Sequence, residues 1–338
     1  MENSVGTQSN SIKWLSTFGG ISAFLVFFSH LRINVPFNIL FILGRAGVVG
    51  FFLKMGYLSY SSRNKRSGLQ YLFNRLVRMY PVFWVILILA YITDISEYSF
   101  RQILANMTLF NDFIGYDCLL PSWMMPIQVC FFIMIAVIGV KIFDFRKDSK
   151  ADMYLISTVI LGILALTTAY IRKCTGINLP TAFFLLFMAG IIGMDFYVRV
   201  NDKEEYRLII PICVYFFFLI PSVYLSYTDM WISYLIAYSL GFLLFYIVYK
   251  VRLNIDMFNK LSTIGFPFFL GAKIPSNIIF RFIDVKKSAF MIVLGCIIEF
   301  VTAIIFAYLI YRFVEKPLLN KAKHLENKIS IKKIGSSL

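Results

Sequence analysis

Ten long apolar stretches recur along this chain, at roughly residues 14–31, 37–58, 79–93, 123–143, 152–171, 181–198, 208–226, 231–249, 261–280 and 289–311. A stretch of about 20 apolar residues is what an α-helix needs to cross a bilayer. Within the hydrocarbon only helices and closed barrels satisfy their own backbone hydrogen bonds. The pattern predicts an all-α, polytopic integral membrane protein of about ten transmembrane helices. With 59% hydrophobic residues, the composition excludes a soluble fold and leaves no stretch for a second folded domain.

The charged residues orient the spans. Loops on the N-terminal side hold basic clusters such as Arg63–Lys65–Arg66, Arg146–Lys147 and Arg199–Lys203–Arg207, and the C-terminal tail adds Lys316, Lys321, Lys323, Lys328, Lys332 and Lys333. The opposite loops hold only Arg32, Arg101, Arg172, Lys173, Arg281, Lys286 and Lys287. Basic loops stay cytoplasmic, so both termini are expected there. The net charge of +15 is thereby assigned to anionic lipid, not to nucleic acid. The organisation read from this is a polar cytoplasmic segment at 1–13, expected to lack order, a transmembrane domain at 14–312 and a basic cytoplasmic tail at 313–338. No basic n-region or cleavage site marks a removable signal peptide.

The five cysteines lack metal-site spacing. Cys130, Cys213 and Cys296 lie in predicted spans, which leaves a Cys118–Cys174 bridge as an open alternative. No P-loop, nucleophile elbow, dinucleotide fingerprint or metal-ligand cluster is present.

An ionisable group inside the hydrocarbon is costly and therefore a functional candidate by default. His30, Arg45, Lys54, Lys273 and Glu299 qualify, with Gln128 as the prominent amide. His30 ends the first apolar run, where it serves either as a structural residue or as a neutral base able to activate a hydroxyl. Arg45 lies among Gly44, Ala46, Gly47 and Gly50, small residues that allow close helix packing and let Arg45 face a polar cavity. Lys54 reads as a snorkelling lysine near the cytoplasmic end. Lys273 falls in the broken-helix context Gly-Ala-Lys-Ile-Pro, and Glu299 is expected to pair with a basic group.

At the mouth of the third span Arg75 and Arg78 share a helix face. They are either a grip for a phosphate-bearing donor or a positive-inside anchor. The external connection at 94–122 carries Asp94, Glu97, Asp112 and Asp117 among Tyr98, Phe100, Phe110, Phe113 and Tyr116, a composition that suits a sugar ligand or a plain amphipathic cap. Asn106-Met-Thr within it is a formal glycosylation sequon.

These residues resemble the acyltransferase 3 family of polytopic membrane O-acyltransferases, over essentially the whole chain. The run ending at His30 is similar to the family's first helix with its histidine. Gly47–Leu58 resembles its second, glycine- and phenylalanine-rich helix. Arg75-Leu-Val-Arg-Met-Tyr-Pro-Val-Phe-Trp84 matches its RxxR segment, Pro121-Ser-Trp123 its Pro-Ser-Trp element, and Tyr311-Arg-Phe-Val-Glu-Lys-Pro317 its closing motif. Three positions depart from the family pattern. Gly19 stands where the family usually has an arginine, eleven residues before the histidine. Gln128 stands for a frequent glutamate, and Gly-Ala-Lys-Ile-Pro lacks the late histidine. Arg45 resembles an arginine of this helix in some members and is expected to supply the missing charge.

The resemblance implies an O-acetyltransferase of a bacterial plasma membrane, acting on a surface or capsular polysaccharide or its lipid-linked precursor. No bound cofactor is implied. Acyl-CoA, as acetyl-CoA, is the donor from the cytoplasm, and Arg75 and Arg78 hold its phosphates. His30 is the catalytic residue. Arg45 or Gln128 stabilises the oxyanion, and Trp123 joins the substrate-binding set. The competing reading, drawn from Gly19 and Gln128, is a catalytically degenerate relative that moves acyl groups or lipid-linked sugars across the membrane.

Overall fold

A computed structural model describes residues 3–31, 37–63, 66–93, 99–109, 123–137, 150–177, 179–281 and 288–322. Among them every regular element is helical: α1 Asn3–Phe28, α2 Phe37–Arg63, α3 Gly68–Thr93, α4 Phe100–Met107, α5 Met124–Val137, α6 Lys150–Thr175, α7 Thr181–Asn201, α8 Ile209–Ser226, α9 Trp231–Lys250, α10 Asp256–Thr263, α11 Gly265–Gly271, α12 Lys273–Phe280 and α13 Ala289–Ile310. Each of the ten apolar stretches coincides with a helix or helix pair. Seven helices are long and apolar enough to cross a membrane, and the pair Asp256–Thr263 with Gly265–Phe280 makes an eighth if counted as one span. Lys13–Phe28 and Met124–Val137 are apolar but shorter. The protein is membrane-embedded.

One difference from the sequence reading has a local cause. The stretch expected as one span at 261–280 is a broken helix, bent by 72°. Gly265 and Pro267 open one short helix, and Gly271 and Pro275 bracket the junction to the next. A proline contributes no N–H to the helix ladder and is tolerated in a first turn. At the N-terminus α1 begins at Asn3. At the other end the helix begun by α13 runs through a π-helical turn at Tyr311–Glu315 and on to Ala322.

The chain divides into two compact units. The first comprises Met1–His30, Asn34–Arg66 and Met134–Ser262, and the second Leu31–Ile33, Ser67–Ile133 and Thr263–Leu338. In the first, α2 is the central helix, packed against α1, α7 and α9, while α6 packs on α7 and α8. Trp14 of α1 meets Tyr57 of α2 and Phe245 and Tyr249 of α9 edge to face. The outer surfaces of α6 and α8 present Ile156, Ile160, Ile163, Phe217 and Tyr224, as a lipid-facing helix should.

In the second unit α13 packs on α11 and α12, and α11 on α3. The short helix α4 starts with a reciprocal capping box between Ser99 and Gln102. It is tied to α3 where Trp84 Nε1 donates to the Met107 carbonyl, 3.1 Å away. Asn106, the sequon asparagine, is buried, and its amide donates to the Gln102 carbonyl at 2.8 Å. Asp94, Glu97, Tyr98, Phe110, Asp112, Phe113, Tyr116, Asp117 and Cys118 lie outside the described residues.

Candidate functional site

His30 sits just past the end of α1, in a turn closed by its own N–H on the Phe27 carbonyl at 3.0 Å. Glycines on α2 bring this end of α1 close to the α2 backbone on either side of Arg45. A Cβ at Gly44 would fall on the Ser29 hydroxyl, one at Gly47 on the Ser22 carbonyl and Val26, and one at Gly50 on Ser22 and Phe18. The contacts run antiparallel, so the residue before His30 touches the residue before Arg45. The structure thus places these two candidates at one end of the first unit.

Arg45 is held by rings. Its Cζ lies 5.5 Å from the Phe41 ring centroid and 5.3 Å from that of Tyr234. Tyr234 stacks on Tyr227 at 3.9 Å with an interplanar angle of 9°. On Tyr227 sits a second guanidinium, that of Arg172, 5.0 Å away. One turn along α9 from Tyr234, Tyr238 is fully buried and its hydroxyl has no hydrogen-bond partner among the described residues. Desolvated cation–π contacts are worth up to about 2 kcal/mol each, enough to hold an arginine at membrane depth.

Lys54 departs from the snorkelling expectation. Its ammonium donates to the Ser262 hydroxyl at 2.8 Å. It also lies directly against Gly19, where a Cβ would overlap both the Lys54 Nζ and the Ser262 Oγ. The cation beside Gly19 is therefore Lys54, not Arg45. The lysine occupies space that only the absence of a side chain at position 19 leaves open. Around it Thr17 donates to Asn259 at 2.8 Å and accepts the Ile255 N–H at 3.0 Å, fastening α10 to α1. Gly19 and His30 are three helical turns apart, about 16 Å. Lys54 is thus out of hydrogen-bonding reach of His30.

The other candidates, Arg75, Arg78, Trp123 and Gln128, belong to the second unit. Arg75 lies over the rings of Tyr71, at 5.2 Å, and Phe132, at 5.5 Å. Phe132 follows Gln128 by one turn of α5, which places the buried Gln128 on the helix that meets Arg75. Arg78 donates its Nε to Glu315 Oε1 at 2.9 Å, with Glu315 1% exposed and Arg78 50% exposed. Trp123 precedes α5; Pro121 and Ser122 lie outside the described residues. The two arginines are therefore not an equivalent pair: one is capped by aromatic rings, the other tied to the closing motif with half its side chain open. Glu299 accepts a long contact from Ser276 Oγ at 3.4 Å, and Ser276 also donates to the Lys273 carbonyl at 3.0 Å.

Sequence reasoning missed several of these groups. Asp195 and Arg199 form a buried pair at 2.7 Å within α7. Their i, i+4 spacing inside an apolar span was a readable signal. Glu315 falls in the closing motif, where nothing in the sequence assigns it a role. The Tyr234–Tyr238 pair at the head of α9 also shows helical spacing, but nothing local distinguishes it from ordinary aromatic packing. Among the described residues no group of three His, Cys, Asp or Glu side chains is placed to hold a metal ion.

A family profile described as an acyltransferase domain matches residues 12–312. No curated protein and no solved structure matches the chain.

Proposed function

This chain belongs to the acyltransferase 3 family, and we propose that it is an O-acetyltransferase that moves an acetyl group from cytoplasmic acetyl-CoA to a hydroxyl of a surface polysaccharide or its lipid-linked precursor. What supports the reading is the family match over residues 12–312, with Ser29, next to His30, packed on Gly44, next to Arg45, and the Lys54 cation seated on the same helix toward its other end. The asymmetry of lysine and arginine supports cytoplasmic termini and an external His30.

In this reading the neutral imidazole of His30 removes the proton of the acceptor hydroxyl. The oxygen attacks the thioester carbonyl and a new C–O bond forms. The oxyanion collapses with rupture of the C–S bond, and the proton held by His30 passes to the departing CoA thiolate. Arg45 or Gln128 stabilises the oxyanion. Trp123 joins the substrate-binding set. Arg75 and Arg78 hold the donor's phosphates, Arg78 through the N–H groups that Glu315 does not use. Lys54 meets the anionic part of the donor as it enters.

The broken helix at Ile264 favours a second reading, because discontinuous helices often build the sites of secondary transporters. The Lys54 ammonium weighs against it, since it retains the cation whose loss at Gly19 would have argued for degeneracy. The test is the O-acetyl content of the surface glycan in cells carrying His30→Gln, normalised to membrane protein. Wild-type content would remove His30 from the mechanism and favour the transporter.

A further inference from the structure

We infer that α4 is sunk in the bilayer beside α3, with Phe100 and Leu104 set against lipid acyl chains, so that the connection at 94–122 is not wholly an aqueous loop. The lysine and arginine asymmetry enters only in naming the leaflet, which is then the outer one.

The Met107 carbonyl, at the C-terminal end of α4, is bonded to Trp84, which stands nine residues before α3 ends at Thr93. At the rise of an α-helix that is about 14 Å back along the α3 axis. Over this length α3 keeps an exposed apolar stripe of Trp84, Ile88 and Ile92, spaced one turn apart on one face. α3 is long and apolar enough to cross a membrane, so the stripe is lipid-facing. The end of α4 is therefore level with lipid-facing side chains, not beyond them.

The hydrogen bonds of α4 suit that depth. A helix leaves its last four carbonyls without intrahelical donors, and in water solvent serves them. In α4 each of the four, from Leu104 to Met107, accepts a bond from the protein itself. Leu104 takes the Thr108 N–H at 3.3 Å, Ala105 the Thr108 hydroxyl at 2.8 Å, Asn106 the Leu109 N–H at 3.0 Å and Met107 the Trp84 indole N–H at 3.1 Å. Leu109 makes its bond at a φ of 63°, where glycine is the usual residue, and its side chain is buried. Hydrocarbon supplies no donor and so demands this closure, whereas water does not.

The side chains are graded along the helix. Phe100 is 70% exposed and Leu104 53%, one turn apart on one face, while Ile103 and Asn106 are buried. Ser99, Arg101 and Gln102 are all at the N-terminal end, with the capping box. Beyond them come Ile103, Leu104, Met107 and Leu109, and the amide of Asn106 is bonded to the Gln102 carbonyl. α4 is thus polar at the end where Arg101 reaches for headgroups and apolar at the end tied to Trp84.

The experiment is power-saturation EPR on the full-length protein in nanodiscs, in a cysteine-free background, with a nitroxide placed in turn at Leu104→Cys, Phe100→Cys and Arg101→Cys. Oxygen concentrates in acyl chains and a water-soluble nickel chelate in water, so the ratio of their collision rates reads what surrounds the label. At Leu104 the oxygen rate should exceed the nickel rate severalfold, and at Arg101 the order should reverse. Leu104 is exposed, so a label there displaces no packed side chain. Phe100, one turn nearer the polar end, takes its place if Leu104→Cys does not assemble. Nickel exceeding oxygen at the deciding position would put the face in water and overturn the inference. Low rates for both reagents would mean that protein covers the face, a second copy or another segment of this chain, and would overturn it equally. Because no acyl transfer is read, the result is independent of the proposed function.

Discussion

Arg78 Nε lies 2.9 Å from Glu315 Oε1, which ties the basic entrance of α3 to the closing motif of the chain more than two hundred residues later. The pairing depends on the π-helical turn at Tyr311–Glu315. A π turn inserts an extra residue into the helical register and so re-aims the side chains around it. The pair is asymmetric, with the carboxylate buried and the guanidinium half solvated.

That asymmetry predicts unequal mutational costs. Arg78→Ala strands a buried carboxylate, whose second oxygen already has no hydrogen-bond partner among the described residues. Losing the charged partner should cost on the order of 1–3 kcal/mol. Glu315→Gln leaves a half-solvated arginine and should cost less. Thermal unfolding in detergent should therefore rank Arg78→Ala below Glu315→Gln, with the double variant recovering part of the loss. An equal ranking would mean that the pair is not coupled in solution.

The donor prediction must be read beside that cost. Arg75→Ala with Arg78→Ala is expected to weaken acetyl-CoA binding by well over tenfold, because a charge-assisted phosphate contact is worth about 1.5–3 kcal/mol. Lysine replacements should rescue partly, retaining charge but not the planar fork. Glu315→Gln in the wild-type background supplies the control, since it disturbs the pair without removing a cation. Normal acetyl-CoA affinity in the double alanine variant would leave the arginines as topological anchors.

Much of this architecture was legible, and what escaped has a common cause. Hydropathy located every helix that the structure describes as a long apolar element, because burial in lipid writes itself into each span separately. Arg75 and Arg78 share a helix face on spacing alone, but their partners Phe132 and Glu315 are remote in sequence. Spacing cannot show that one arginine is capped by rings and the other by a carboxylate. Lys54 was misread for the same reason. Its depth along α2 suggested snorkelling, whereas Gly19 on α1 and Ser262 beyond α9 decide where its amine rests. The broken helix was half legible: its Gly-Ala-Lys-Ile-Pro was noticed, but hydropathy averages across a bend.

Topology can be tested with probes chosen from the structure. Arg101 and Ser67 are both exposed, and Arg101 is outside the Ser99–Gln102 capping box that a cysteine at Ser99 would break. In a background lacking Cys118 and Cys174, an impermeant maleimide added to intact cells should label Arg101→Cys and spare Ser67→Cys. The reverse pattern would put the basic loops outside and overturn the assignment of donor and acceptor sides.

His30 separates chemistry from packing. General-base assistance contributes about 10²–10⁴-fold, so His30→Gln should lower glycan O-acetylation by at least the smaller factor at normal protein abundance. His30 is only half-buried in a turn after α1, so glutamine should be accommodated there without loss of insertion. A merely structural histidine would give a different outcome: glutamine tolerated, and alanine reducing abundance and activity in proportion.

The relation between Gly19 and Lys54 gives the sharpest test, because it can be run in both directions. If the role at this point is to present a cation to the donor, Lys54→Met should raise KM for acetyl-CoA by about tenfold or more, the value of one charged contact, with kcat little changed. The three-turn separation from His30 is why kcat should be spared. Gly19→Ala should do the same while keeping the lysine, since its methyl would fall on the Lys54 Nζ and Ser262 Oγ and push the amine away. The amine is the tip of a flexible side chain, so this displacement should cost function more than fold. The double variant Gly19→Arg with Lys54→Met returns a cation from the other helix and vacates the space it needs. It should restore much of the lost affinity, whereas Gly19→Arg alone forces two cations together and should not. If the double variant binds donor no better than Lys54→Met, the lysine is there only to bond Ser262 and fasten α10, and the cation has no part in donor binding.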